Sequence, residues 1–197
     1  MGPWVGMAGA LVALGVGAAV ARSWMGPKQL PVRENPDGAP ILVPQPLPDA
    51  RPLRVTFGVP AEVVAAKIPP APDENGVVPM TLYWKVHGDV PRSVGIFVHV
   101  IGPDGTRKSG DHELIAGTYF FKDAPRDVLL RDDFGANVSD GKPGTWDVYL
   151  GLWHAGGDGS RVPAFGPDGQ RGQDDRVLIG RFIVPETDST AAESDTR

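Results

Sequence analysis

The chain has 197 residues, 41% of them apolar, which suffices for one ordinary domain with appendages. Its formal net charge of −5 and the lack of a basic cluster speak against nucleic-acid binding, and the absence of cysteine excludes disulfides, thiolate metal sites and a cysteine nucleophile. The 26 glycines and 21 prolines follow no G-X-Y period, so they serve turns and linkers and favour an all-β domain over a helical bundle.

The first predicted element is a transmembrane helix over residues 2–22. Residues 2–21 carry no charge, and as a helix they would span about 30 Å, the thickness of a bilayer core. Trp4 and Trp24 flank the run, where interfacial aromatics are favoured. Gly9, Ala13, Gly17 and Ala21 recur every fourth position and form a row along which another helix can approach closely. A signal peptide is the rival reading, with Ala19-Val20-Ala21 as its cleavage site, but no Lys or Arg precedes the apolar run. Arg22, Lys28 and Arg33 follow the helix, and on their own they would hold the domain in the cytoplasm.

Residues 23–53 read as an extended linker. Pro27, Pro31, Pro36, Pro40, Pro44, Pro46, Pro48 and Pro52 remove backbone donors and fix φ, which suits neither helix nor sheet interior. A passive spacer is the favoured reading. The other is a strap along a partner's surface, anchored by Ile41, Leu42 and Val43.

Residues 54–185 are expected to form an antiparallel sandwich, immunoglobulin-like or jelly-roll-like. Strands are predicted near Arg54–Val59, Thr81–Val86, Val94–Ile101, Thr118–Phe121, Val128–Phe134, Thr145–Trp153 and Val177–Val184. Alternation places Leu82, Trp84 and Val86 on one face, and Trp146, Val148, Leu150 and Leu152 on another. Residues 61–67 also admit a short helix. The tail, 186–197, is polar and has no large apolar residue.

Candidate chemistry is sparse. No HExxH, G-x-S-x-G or GK[ST] motif is present. His99, His112 and Asp111 are the nucleus of a polar cluster, read as a structural pairing that pins a loop. Asp132 and Asp133 are adjacent in a strand and should diverge. Asp168, Asp174 and Asp175 are the better calcium candidates, although turn chemistry explains them more simply. Tyr83, Tyr149 and Trp153 fall opposite the inward tryptophans. They would form an interaction surface if exposed, and a second core layer if covered.

Several short motifs follow one another in order. They are Leu82-Tyr83-Trp84, Phe97-Val98-His99, Asp104-Gly105, Gly110-Asp111-His112, Arg131-Asp132-Asp133-Phe134, Pro143-Gly144-Thr145-Trp146 and Val148-Tyr149-Leu150-Gly151-Leu152-Trp153. Arg161-Val162-Pro163 and Asp175-Arg176-Val177 end the series. Over residues 78–184 this order resembles a β-sandwich module of bacterial membrane-anchored proteins that often accompanies multi-span glycosyltransferases. Between Glu113 and Pro125 the chain departs from that pattern, with Phe120-Phe121 where a Pro-rich turn and a Trp usually stand. The resemblance implies an extracytoplasmic domain and brings no catalytic residues.

The expected function is therefore non-catalytic, without metal or cofactor. A helix in the bilayer, a strap and a periplasmic sandwich suit an accessory subunit that stabilises a complex of integral membrane proteins, such as a photosynthetic or respiratory assembly. The alternative is an extracytoplasmic module that binds a glycan or another ligand.

Overall fold

The structure, a computed structural model, describes residues 41–91, 94–155 and 157–186. The predicted membrane helix, its row Gly9, Ala13, Gly17 and Ala21, and most of the tail lie outside the described residues. Among the described residues, no helix is long and apolar enough to cross a membrane.

These residues form eleven strands: β1 (Leu42–Val43), β2 (Arg51–Phe57), β3 (Ala61–Lys67), β4 (Val77–Val86), β5 (Val94–Ile101), β6 (Arg107–Ser109), β7 (Leu129–Asn137), β8 (Gly144–His154), β9 (Arg161–Val162), β10 (Ala164–Phe165) and β11 (Val177–Val184). Every pairing is antiparallel. One sheet runs β1-β7-β4-β3-β2-β10, and the other β11-β8-β5-β6 with β9 beside β8. A single core cluster draws on both sheets, including Val55, Val63, Leu82 and Trp84 from the first and Val98, Trp146, Leu150 and Phe182 from the second. The domain is thus an antiparallel β-sandwich.

The alternation explains the packing. Leu82, Trp84 and Val86 point inward from β4, and Trp146, Val148, Leu150 and Leu152 from β8. Trp84 stacks on Phe57 at 5.8 Å and meets Phe121 edge-on at 5.1 Å, while Trp146 stacks on Phe182 at 6.2 Å.

Three expectations need correction. The linker does not extend to residue 53, because Ile41 is 1% exposed in the core and β1 pairs with β7. Burying Ile41 contributes roughly 1.5–3 kcal/mol, enough to fasten a short extended segment. Residues 61–67 form a strand and not a helix. Ala61, Val63 and Ala66 reach the main core, with a register shift between Val63 and Ala65 turning Ala65 to the other face. Thr118–Phe121 is not a strand, since the chain there is irregular and enters a 3₁₀ turn at Phe121–Asp123.

Candidate binding site

The most demanding residue in the sandwich is Asp132. Its strand β7 presents Leu130, Asp132, Phe134 and Ala136 to the inside, so one carboxylate interrupts an apolar stripe. Asp132 is 0% exposed. A buried carboxylate is tolerable only when its oxygens are hydrogen-bonded, and here three donors converge on it. Trp84 donates Nε1–H to Oδ2 at 3.0 Å, His112 donates Nε2–H to Oδ2 at 3.0 Å, and the Ile115 backbone N–H reaches Oδ1 at 2.9 Å.

The His112 ring is fixed at both nitrogens. Nδ1 lies 2.7 Å from the Gly110 carbonyl, which can only accept, so Nδ1 carries a proton. Nε2 faces the carboxylate. Burial pushes the ring's pKa down, but the hydrogen bond and charge of Asp132, the Gly110 carbonyl and Asp111 together hold it above the ordinary histidine value. Both ring nitrogens are thus occupied, and the His–Asp pair ties the segment after β6 to β7. Phe134 stacks on the ring at 4.2 Å and closes its other side.

The segment so positioned bends sharply. Ile115, Ala116 and Gly117 take left-handed φ values of 53°, 49° and 78°. For a β-branched residue this conformation costs about 1–3 kcal/mol. It persists because Ile115 is fully buried and its N–H is held by Asp132. The residues on either side of the turn, Glu113 and Leu114 before it and Tyr119 after it, border a cleft of about 250 Å³ between β5 and the Tyr119–Phe121 stretch. Trp153, Gly95, Asp111, His112, Glu113 and Phe120 are among its lining residues.

The sequence-predicted residues divide between different places. His112 borders this cleft and turns its ring inward to Asp132. Asp111 is exposed and accepts the Val98 N–H at 2.9 Å. His99 does not join them. Ile96, Val98 and Val100 face the core, so His99 lies on the outer face of β5, buried there 4.8 Å from the Phe97 ring. The expected cluster is therefore replaced by His112–Asp132, with Asp111 capping a strand and His99 elsewhere. Burial first, and then the charge of Arg107, push the His99 pKa down; Arg161 and Arg176 act the same way and Asp111 opposes them.

The three aromatics also part company. Tyr83 is 0% exposed, and its hydroxyl accepts the Leu47 N–H at 3.1 Å, so the segment after β1 covers it. Its packing with Ala65 and Leu129 makes it second-layer core and removes it from any interaction surface. Tyr149 is half-buried beneath Arg176, whose guanidinium carbon lies 4.7 Å from the ring centroid. It borders a separate groove of about 560 Å³ under the 166–176 loop. Trp153 is half-buried in the cleft described above.

Asp132 and Asp133 diverge. Asp133 accepts the Thr81 hydroxyl at 2.6 Å on the opposite face from Asp132, and Arg131 Nε lies 2.9 Å from it. Asp168 caps the Gln170 N–H, Asp175 is held by Arg171, and Asp174 lies 3.8 Å from Arg176. Among the described residues, no group of three or more His, Cys, Asp or Glu side chains is placed to hold a metal ion. Sequence reasoning missed Asp132 as the hub. The signal available was a single acidic residue on the inward phase of an otherwise apolar strand.

No protein-family model matches the chain, and no curated protein matches it.

Proposed function

We propose that this protein is a membrane-anchored accessory subunit. Residues 2–22 would place a helix in the bilayer, and the sandwich would stand outside the cytoplasm against a complex of integral membrane proteins. The observation that carries the reading is the way the chain enters the sandwich. Ile41 is buried in the core, and its carbonyl accepts the Arg131 N–H at 2.7 Å. Leu42 and Val43 then pair with β7, and the segment after them covers Tyr83. A segment built into the sheet suits a part that must hold position, whereas a passive spacer would have no reason to be buried there. The row Gly9, Ala13, Gly17 and Ala21 supports lateral helix packing in the same complex. The fold itself we read as immunoglobulin-like or jelly-roll-like, on its antiparallel two-sheet architecture.

The test is purification from native membranes through a C-terminal tag, in a mild detergent, followed by mass spectrometry. A fixed stoichiometric set of integral membrane proteins is the expected result. A solitary chain would overturn the proposal.

A further inference from the structure

We infer that the cleft beside Trp153 binds one ring of a neutral polysaccharide, a function separate from the accessory role and independent of it. Three features of the cleft carry this. The first is the seat of the indole. Trp153 pairs with Gly95 across β8 and β5, and a Cβ at Gly95 would lie 2.8 Å from Trp153 Nε1. Any larger residue at 95 would displace the indole, so the missing side chain lets a large ring lie against the strand. The ring is only half-buried and lines the cleft together with Phe120. Such rings take the C–H faces of sugars well, being apolar, rigid and low in conformational entropy.

The second feature is the polar inventory. Asp111 and Glu113 are exposed carboxylates lining the cleft, and among the described residues its lining holds no Lys or Arg. His112, the cationic candidate among the described lining residues, has both nitrogens committed. The two carboxylates repel anions, which favours a neutral ligand over acidic sugars and phosphates. The indole N–H of Trp153 has no hydrogen-bond partner among the described residues. A donor beside two acceptors matches hydroxyl groups, which both donate and accept. A ligand ammonium could use the carboxylates and the rings, but it offers nothing to the indole N–H.

The third feature is rigidity. The turn between the lining residues Leu114 and Tyr119 holds two non-glycine residues in left-handed φ, Ile115 and Ala116, and is tied to the core through Asp132. Strain kept in place by a buried hydrogen bond is a mark of a preformed surface. The volume of about 250 Å³ suits one pyranose ring rather than a whole chain, so the remainder of the polymer would run outside.

The experiment uses the full chain in a polyoxyethylene ether detergent, which carries neither sugar nor charge. The five tryptophan indoles are labelled with ¹⁵N, and Trp153→Phe identifies the Trp153 signal by its loss. The probes are chitotetraose, maltohexaose, a neutral galactan oligosaccharide, oligogalacturonate and tetramethylammonium chloride. At least one neutral oligosaccharide should shift the Trp153 signal at millimolar concentration, while oligogalacturonate should not. Gly95→Ala, which pushes only on the indole, should weaken that binding about tenfold, equivalent to ~1.4 kcal/mol. A response to tetramethylammonium alone would make this a cation site and overturn the proposal. Silence to all three neutral probes would overturn it, and so would binding that Gly95→Ala leaves unchanged.

Discussion

At the scale of single residues, Asp132 holds more of the structure than any other polar group. Replacing it with Ala would strand the Trp84 and His112 ring donors and the Ile115 N–H inside the sandwich. Removing one member of such a buried network costs about 3–5 kcal/mol. Equilibrium urea unfolding of Asp132→Ala checks this, and a change below 1 kcal/mol, roughly one ordinary hydrogen bond, would refute the hub. His112 and His99 should respond to pH with opposite signs. His112 binds its proton more tightly when folded, so its contribution to stability is full below its unfolded value of about 6.5 and is lost as pH rises through the higher folded value. His99 binds its proton less tightly when folded. Its contribution is full above about 6.5 and is lost as pH falls through the lower folded value. An NMR titration of the imidazole signals should find His112 above and His99 below the unfolded midpoint. The reverse order would contradict the burial and partners described here.

At the scale of elements, the strap and the bulged strand show what packing adds. Residues 44–50 contain three prolines, which by themselves suggest only an extended chain. In the fold, the Leu47 N–H reaches the Tyr83 hydroxyl, and Val43 and Ala50 pack beside that ring. Tyr83→Phe deletes this bond alone. It should cost about 1 kcal/mol and speed amide hydrogen exchange at Leu47, with little change in the central strands. Unchanged protection at Leu47 would mean that the strap is held elsewhere. Gly151 sets a stricter limit in β8. A Cβ there would lie 2.1 Å from Phe97 Cζ and 2.7 Å from the Asp175 carbonyl oxygen, so both a ring and a backbone would have to move. Gly151→Ala should therefore destabilise the domain by about 1–3 kcal/mol, the usual range for overpacking, as thermal unfolding would show.

At the scale of the whole molecule, the two sheets are tied at one margin as well as through the core. The Ile183 N–H donates to the Pro70 carbonyl at 2.8 Å, and Arg51 donates to the Ile179 carbonyl, so the outer edge of β11 is partly occupied by β2 and by the connection between β3 and β4. This limits the free backbone groups that an edge strand would otherwise offer to another chain. The same view defines where the domain begins. A variant starting at residue 41 should unfold cooperatively. One starting at residue 54 loses Ile41, β1 and the first half of β2, and should be less stable by several kcal/mol, in proportion to the apolar surface lost. Circular dichroism melts of the two would decide, and equal melting temperatures would restore the linker to residue 53.

The sequence by itself determined the sandwich. Period-two alternation around Trp84, Val98 and Trp146 names the inward faces, because successive side chains of a strand point to opposite sides whatever the rest of the chain does. It also separated Asp132 from Asp133 for the same local reason. Only the tertiary structure decided what those faces meet. His112 could not be matched to Asp132 from spacing, since the two sit on different segments brought together by the packing of the sheets. Nor could spacing tell that Tyr83 would be covered and Trp153 left half-open. A strand's own residues set which side a ring points to, but the neighbouring segment that arrives there sets whether it is core or surface. Residues 61–67 make the same point: their alanines admit a helix, and pairing with β2 and β4 on both sides makes them a strand.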